Sequence, residues 1–293
     1  MSTPDNCIGP ALLVELSGAD ASAFAHAQFT SAVVTLAPGH WHWSAWLDAK
    51  GRVRNVFALL HVEPGRLVAW LPRGDASRMA KSLSMYVLRA KVRVRALTGW
   101  HRFDAGEAAA DAPMTIDPGD RWSLVMPGPP GRRVCLAAAE GSAAFVDMPR
   151  QAAWDLADVR AGLPWVSDEV CAEFVSPALG LERLGAVRLD KGCYPGQEIV
   201  ARLHYRGGNK RHAMHLLHEG APVPAGTGVI AEAGSAATGA VLYSAWSAAD
   251  RSEAIAILPD TALDAPGLRL ESGAQVSRVS AYPVADLFMS QGS

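Results

Sequence analysis

Lys191-Gly192-Cys193-Tyr194-Pro195-Gly196-Gln197-Glu198 is the stretch on which the reading of this chain turns. Two glycines and a proline hold one thiol in a segment that fits neither helix core nor strand core. Gln197 to Arg202 can begin a helix, and its N-terminus together with Lys191 would favour the thiolate of Cys193. Cysteines in such settings have pKa values of roughly 3.5–7.5 rather than about 8.5. The competing reading is a small buried side chain in a tight turn. For the other three cysteines packing is the expectation, and Cys7 falls in what reads as an exposed N-terminal tail.

C-terminal to this stretch, beyond Lys210, short apolar runs alternate with Gly220-Ala221-Pro222, Ala233-Gly234-Ser235 and Asp264-Ala265-Pro266-Gly267, the spacing of a small all-β barrel. Gly226-Thr227-Gly228 reads as a barrel turn rather than a dinucleotide loop. His212, His215 and His218 lie three apart on an expected strand and so face alternate sides, which argues against a metal cluster. N-terminal to the motif, Gln151 to Arg160 reads as a helix carrying Trp154 and stopped by Gly162 and Pro164. Gly106 to Gly119 and Met126 to Gly131 read as loops.

The first hundred residues are mixed α and β. Ser17-Gly18-Ala19-Asp20 has capping-box spacing ahead of a helix with Ala21, Phe24, Ala25 and Gln28 on one face. Trp41 to Leu47 and Val53 to His61 flank the turn residues Asp48-Ala49-Lys50-Gly51, a β-hairpin. Arg66 to Leu71 is a further strand, and Asp75 caps a helix with Met79, Leu83, Tyr86 and Val87 on one face. Arg89, Lys91, Arg93 and Arg95 alternate with apolar residues, either a solvated strand face or a local stripe for an anion.

Composition bounds the function. With 293 residues, 49% hydrophobic and 19% charged, the chain has material for two domains, or three small ones. A net charge of −2 gives no global field for nucleic acid or an anionic membrane, so any anion site is local. Ala21 to Leu47 lacks charged Asp, Glu, Lys and Arg, but Gln28, Thr30, His40, His42 and Pro38-Gly39 interrupt it as a membrane span. Met1 to Pro10 has no basic n-region, and four cysteines without a C-x-x-C pair suit reduced thiols, so a cytoplasmic protein without disulfides is expected.

The motif as a whole resembles the K-G-C-[YF]-x-G-Q-E signature of the YgfZ-type folate-binding proteins, relatives of the glycine-cleavage aminomethyltransferases (T-proteins) and of iron–sulfur assembly factors. The resemblance takes in Leu16 to Ala21, Gln28-Phe29-Thr30, Asp48 to Arg52, Trp154, Arg160, Gly162, Pro164, Phe174, Pro177, Val200 to Arg202, Arg206, Gly207, Lys210 and Arg211. It departs at Ser31-Ala32, where relatives often have an acid, and at Gly180, where an asparagine is usual. It departs most at Arg54-Asn55, aligned with the acidic turn that serves the transferases. Without that carboxylate, aminomethyl transfer loses the group that would stabilise charge at the reacting nitrogen.

The resemblance implies an α+β, three-domain T-protein fold with a C-terminal β-barrel, divided as 1–98, 99–209 and 210–293, the first unit allowed to be discontinuous. It implies a folate-binding accessory protein, with tetrahydrofolate or a derivative as ligand. Iron–sulfur client enzymes, including tRNA-modifying ones, would be its partners, without direct nucleic-acid or membrane contact. Cys193 is the functional thiol with Lys191 beside it, Trp154 the pterin-stacking candidate and Arg202 the candidate for the glutamate carboxylates. Tyr194, Gln197 and Glu198 complete the ligand-binding candidates, and no metal ligand is assigned. The rival is a folate-dependent one-carbon transferase or demethylase.

Overall fold

A computed structural model describes residues 6–108, 116, 121–128, 131–138, 145–231, 237–265 and 267–282. The first two strands, β1 (Cys7–Pro10) and β2 (Leu12–Ser17), are consecutive yet enter different sheets. β2 joins β3 (His40–Leu47), β4 (Val53–Glu63), β5 (Arg66–Leu71) and β6 (Arg93–Leu97) in an antiparallel sheet of order β3-β4-β5-β2-β6. Its central strands are apolar on both sides. Phe57, Leu59, Leu67, Ala69 and Leu71 pack under the helices α1 (Ala21–Gln28) and α2 (Ala76–Ser84). Ala58, Leu60, Val68 and Trp70 face the opposite way, into a larger core shared with the rest of the chain. Burial on both faces explains why these strands read as continuous apolar runs rather than alternations.

The helix ends depart from the sequence pattern in two places. Asp20 precedes α1 but makes no side-chain cap; its Oδ2 accepts from the Lys91 amide at 2.6 Å and ties the helix start to the sheet edge. Asp75 does cap α2, accepting from the Arg78 amide at 3.0 Å, but the helix stops at Ser84, where the chain turns back toward β6. Tyr86, expected on the buried face, is therefore exposed, while Val87 still touches the core. The strand expected from Arg89 begins only at Arg93, and Arg95 pairs with Glu15 across the ladder at 2.8 Å.

The second sheet has the order β1-β7-β9-β8, from β7 (Trp100–Glu107), β8 (Arg121–Met126) and β9 (Arg132–Ala138). Cys7 is consequently not in an exposed tail. It is 1% exposed, packed with Phe103 and Cys135, because β1 pairs with β7 and carries Cys7 into the sheet. Of the loop expected over Gly106 to Gly119, Gly106 and Glu107 belong to β7, while residues 109–115 and 117–119 lie outside the described residues. Against this sheet lies α3 (Met148–Ala161), capped by Asp147 on the Arg150 amide and ended by Gly162 in a left-handed conformation.

After α4 (Ser176–Leu179) and α5 (Gln197–Arg206), six strands close a barrel in the order β10-β13-β12-β11-β14-β15. They are β10 (Arg211–Glu219), β11 (Gly228–Ala231), β12 (Ala237–Ala248), β13 (Arg251–Pro259), β14 (Leu268–Leu270) and β15 (Gln275–Ala281). Met214, Leu216, Val241, Ala254, Ala256 and Leu258 fill the barrel, while Leu242, Tyr243, Ile255 and Ile257 turn outward into the shared core. Arg160 of α3 bonds Glu253 at 2.7 Å, and His215 meets the same carboxylate at 2.9 Å. His212 goes instead to Asp260, and His218 is fully buried. The result is an α+β arrangement of two sheet units and a barrel.

Candidate functional site: the Cys193 loop and its neighbours

The hairpin turn after β3 begins the site. Asp48 Oδ1 accepts from the amides of Lys50 and Arg52 at 2.8 and 2.9 Å, and Gly51 takes a positive φ of +73°, so the turn is closed by its own residues. Onto this turn lies Gly196, with φ +78°, immediately before α5. A Cβ added at Gly196 would sit 2.5 Å from the Asp48 carbonyl and 2.6 Å from the Gly51 Cα, and one added at Gly51 would sit 2.8 Å from the Ile199 Cβ. Two glycines, 145 positions apart in sequence, thus let the hairpin and the motif loop touch backbone to backbone.

The other side of the loop is fixed by Lys191. Its Nζ donates to the carbonyls of His26, in the last turn of α1, and of Phe29 and Ser31, just beyond the helix, at 2.5, 2.6 and 2.9 Å; a last-turn carbonyl such as that of His26 has no intrahelical partner. Burial pushes the Lys191 ammonium down to about 8. The ammonium lies 5.0 Å from the centre of the Tyr194 ring, and Tyr194 itself is buried, which raises its phenol to about 12. Thr30 completes the seam: its carbonyl accepts from the Arg188 amide at 2.9 Å and its hydroxyl donates to the Ala186 carbonyl at 2.6 Å. Gln28-Phe29-Thr30 and the motif, far apart in sequence, are one structural unit.

His42, on β3, is mostly covered, and its Nε2 has no hydrogen-bond partner among the described residues. Burial, reinforced by Lys191 and Arg188, lowers the imidazole to about 4. His26 is lowered by the same two influences, burial first and then Lys191. Both rings are neutral near pH 7, and the local positive charge belongs to the lysine and the arginine.

Between these supports Cys193 is exposed, whereas Cys171 is half-buried and Cys7 and Cys135 are 1% exposed. Lys191 directs its donors to three carbonyls and so fixes the loop that carries the thiol. Exposure alone ranks the four thiols. Iodoacetamide at pH 7 should modify Cys193 first, Cys171 more slowly and the two strand cysteines only on unfolding; peptide mapping that found Cys7 modified at the rate of Cys193 would contradict the placement of β1.

The remaining ligand-binding candidates do not share one cavity. Trp154, 8% exposed, lines a cavity of about 450 Å³ with Asp104, Arg132, Pro149, Arg150 and Ala153. The Arg132 guanidinium lies 4.5 Å from the centre of its ring. Burial alone would raise the Asp104 carboxyl, but hydrogen bonds from Arg150, the Gly106 amide and Trp154 hold it below its ordinary value. Arg202 and Glu198 are exposed on α5, Gln197 is half-buried at its start, and none of the three lines the Trp154 cavity.

A second cavity, about 500 Å³, lies where the first sheet meets the barrel, lined by Leu12, Arg73, Gly74, Asp168, Pro224 and Tyr243 among others. Arg73 binds Asp155 at 2.9 Å and covers the Tyr243 ring at 4.3 Å. One helical turn on, Asp158 accepts from Arg132 at 2.8 Å and from the Trp165 indole at 2.8 Å. Sequence reasoning passed over this pair of acids, although their spacing three apart on the Trp154 helix was a readable signal.

No family model matches the chain. A "tRNA-modifying protein YgfZ" of Edwardsiella ictaluri is 30% identical over 227 residues, covering 70% of this chain and 68% of that protein. The chain belongs to the YgfZ family. An uncharacterized protein of Haemophilus influenzae is similar at 31% identity over 211 residues, 70% of each chain. The YgfZ of Klebsiella pneumoniae is 29% identical over 233 residues, 72% of this chain and 71% of its own. In fold, the glycine cleavage system aminomethyltransferase T of Bartonella henselae superposes with a TM-score of 0.65 over 94% of this chain and 84% of that one, at 15% identity. This YgfZ-family chain therefore has the aminomethyltransferase fold expected from its motif. Arg54 and Asn55 both lie on β4, the first with its guanidinium 4.3 Å from the centre of the Trp46 ring and the second buried.

Proposed function

We propose that the protein is a folate-binding accessory factor that supports assembly or repair of iron–sulfur clusters in client enzymes, tRNA-modifying ones among them, with Cys193 as its functional thiol. The observation that carries this reading is an exposed cysteine on a loop held from both sides, by the Gly196–Gly51 contact and by the three carbonyls on Lys191. A loop that served packing alone would bury its thiol, as the strands bury Cys7 and Cys135. The name of the YgfZ relatives supports a role alongside tRNA modification. Cytoplasm is the compartment proposed; among the described residues no helix is long and apolar enough to cross a membrane.

The residues at Trp154 fit tetrahydrofolate or a derivative. The indole, Pro149 and Ala153 form an apolar wall, Asp104 offers an acceptor for ring N–H groups, and Arg132 and Arg150 are cations at the same cavity. The volume of about 450 Å³ lies within the range of small-molecule sites. Folate bound there would supply a one-carbon carrier. Turnover as a transferase is the second reading, and the guanidinium of Arg54 on Trp46 weighs against it.

Two measurements test the proposal separately. Calorimetry with tetrahydrofolate should show saturable binding in the micromolar range, about −8 kcal/mol. Trp154→Ala should weaken it by about 1–3 kcal/mol if the indole stacks on the ring. No saturable heat at millimolar folate, with the protein folded, would remove the folate part. Cys193→Ser should retain folding and folate binding but fail to restore iron–sulfur enzyme activity in cells lacking the protein. Full restoration would remove the thiol from the function.

A further inference from the structure

The sequence argument denies this chain a global positive field, but the fold concentrates cations at one place. Arg202 and Arg206 are four apart on α5, so they share a face, and Tyr205, 75% exposed, lies between them on that face. Gly207 and Gly208 follow with positive φ and no neighbour within 4 Å of an added Cβ, and the exposed Lys210 and Arg211 lead into β10. Among the described residues none of these four cations has an ion pair. The acids nearby have partners other than these cations: Asp190 is paired with Arg188, while Glu182 and Asp260 contact the rings of His204 and His212 and keep a negative charge beside this surface wherever those rings are neutral. Glu198, one turn before Arg202, is the acid that remains on the helix.

Two physical features narrow what would cover this surface. Four unpaired cations are matched by an anion of extended form, since a compact anion reaches one or two of them. Tyr205 is the one large side chain of this stretch with a wide exposed face, and its neighbour His204 holds it edge-on at 4.9 Å. The buried core of a protein interface is depleted in charged side chains, whereas a single nucleic-acid strand takes a stacking face set among cations.

We propose that the Arg202–Tyr205–Arg206 face of α5, continued by Lys210 and Arg211, binds a single strand of RNA, with phosphates on the cations and a base on the tyrosine. The inference is independent of the folate and iron–sulfur reading and revises the expectation of no direct nucleic-acid contact. It also places the strand on the helix whose other end carries the Cys193 loop, about 15 Å along a ten-residue helix.

The test uses the full chain and a labelled single-stranded RNA of about 12 nucleotides of mixed A and U, read by fluorescence anisotropy over a KCl series. Saturable binding by the wild type is expected. Tyr205→Ala should weaken it about tenfold, and Arg202→Ala with Arg206→Ala should lower the slope of log affinity against log salt by about 1.4. All three positions are exposed, so circular dichroism and the melting curve should stay at wild type. The control is the triple variant Arg89→Ser, Lys91→Ser, Arg93→Ser on the exposed segment that enters β6, outside α5, which removes more charge and should keep most of the affinity. Equal binding of DNA of the same sequence would support the surface and assign recognition to phosphate and base without the 2′-hydroxyl. Absence of saturable binding at about 50 mM salt, an equal loss in the edge variant, or equal competition by polyglutamate would overturn it, the last marking a surface for acidic proteins.

Discussion

Gly196→Ala should destabilise the folded chain by about 3 kcal/mol, most of it from contact rather than from backbone conformation. The left-handed φ of +78° costs an alanine about 1 kcal/mol. The larger part arises because the new methyl would lie 2.5 Å from the Asp48 carbonyl and 2.6 Å from the Gly51 Cα, both main-chain atoms of a turn locked by the Asp48 side chain. The turn cannot retreat cheaply, since Val53 of the same hairpin exchanges hydrogen bonds with Phe174 and Ala172. Gly180→Ala is the matched control: its φ of +67° and ψ of +32° are left-handed like the conformation of Gly196, but the nearest atom to the added methyl is the Arg183 Cδ at 3.6 Å, an ordinary contact, so only the conformational cost of about 1 kcal/mol should be seen. Urea unfolding of both variants reads the difference. Equal losses would mean that the hairpin and the motif loop are not packed as described.

The second large effect is on the acid side of neutrality. His42 titrates near 4 in the folded chain, because burial and then the charges of Lys191 and Arg188 oppose its protonation, against an ordinary value of 6.5. The unfolded chain therefore binds a proton between pH 6.5 and 4 that the folded chain refuses, and stability falls as pH falls through that window. The full shift would correspond to about 3 kcal/mol; allowing for the partial exposure of the ring, about 2 kcal/mol is expected between pH 7 and pH 4.5. His26, lowered by the same causes, adds to it with the same sign. In His42→Gln the slope of unfolding free energy against pH should flatten by that amount, measured by urea titration at the two pH values. An unchanged slope would show that the ring is open to water and away from Lys191.

The sequence by itself determined those features whose physics is local. Asp48 to Gly51 is a turn because an aspartate can accept two amides and a glycine can take positive φ, wherever the hairpin is put. Asp75 and Gly162 bound their helices for equally local reasons, and the motif around Cys193 marked a constrained, thiol-bearing loop before any fold was known. The alternation of short strands and turns after Lys210 was enough for a barrel.

Tertiary structure decided what depends on partners distant in the chain. Cys7 is buried because β1 finds β7 nearly a hundred residues later, and no property of the first ten residues encodes that pairing alone. Asp20 has the chemistry of a helix cap, yet its carboxylate goes to the Lys91 amide, and Tyr86 has helical spacing, yet the helix ends before it. Lys191 reads in sequence as an activator of its neighbour Cys193; in space the end of α1 and the segment after it offer three carbonyls, of His26, Phe29 and Ser31, to which the ammonium donates. Arg202, read as a ligand for folate carboxylates, shares a helix face with Tyr205 and Arg206 outside the cavity at Trp154. Side-chain chemistry is written in the sequence, but which group a charge or thiol meets is set by packing over long separations.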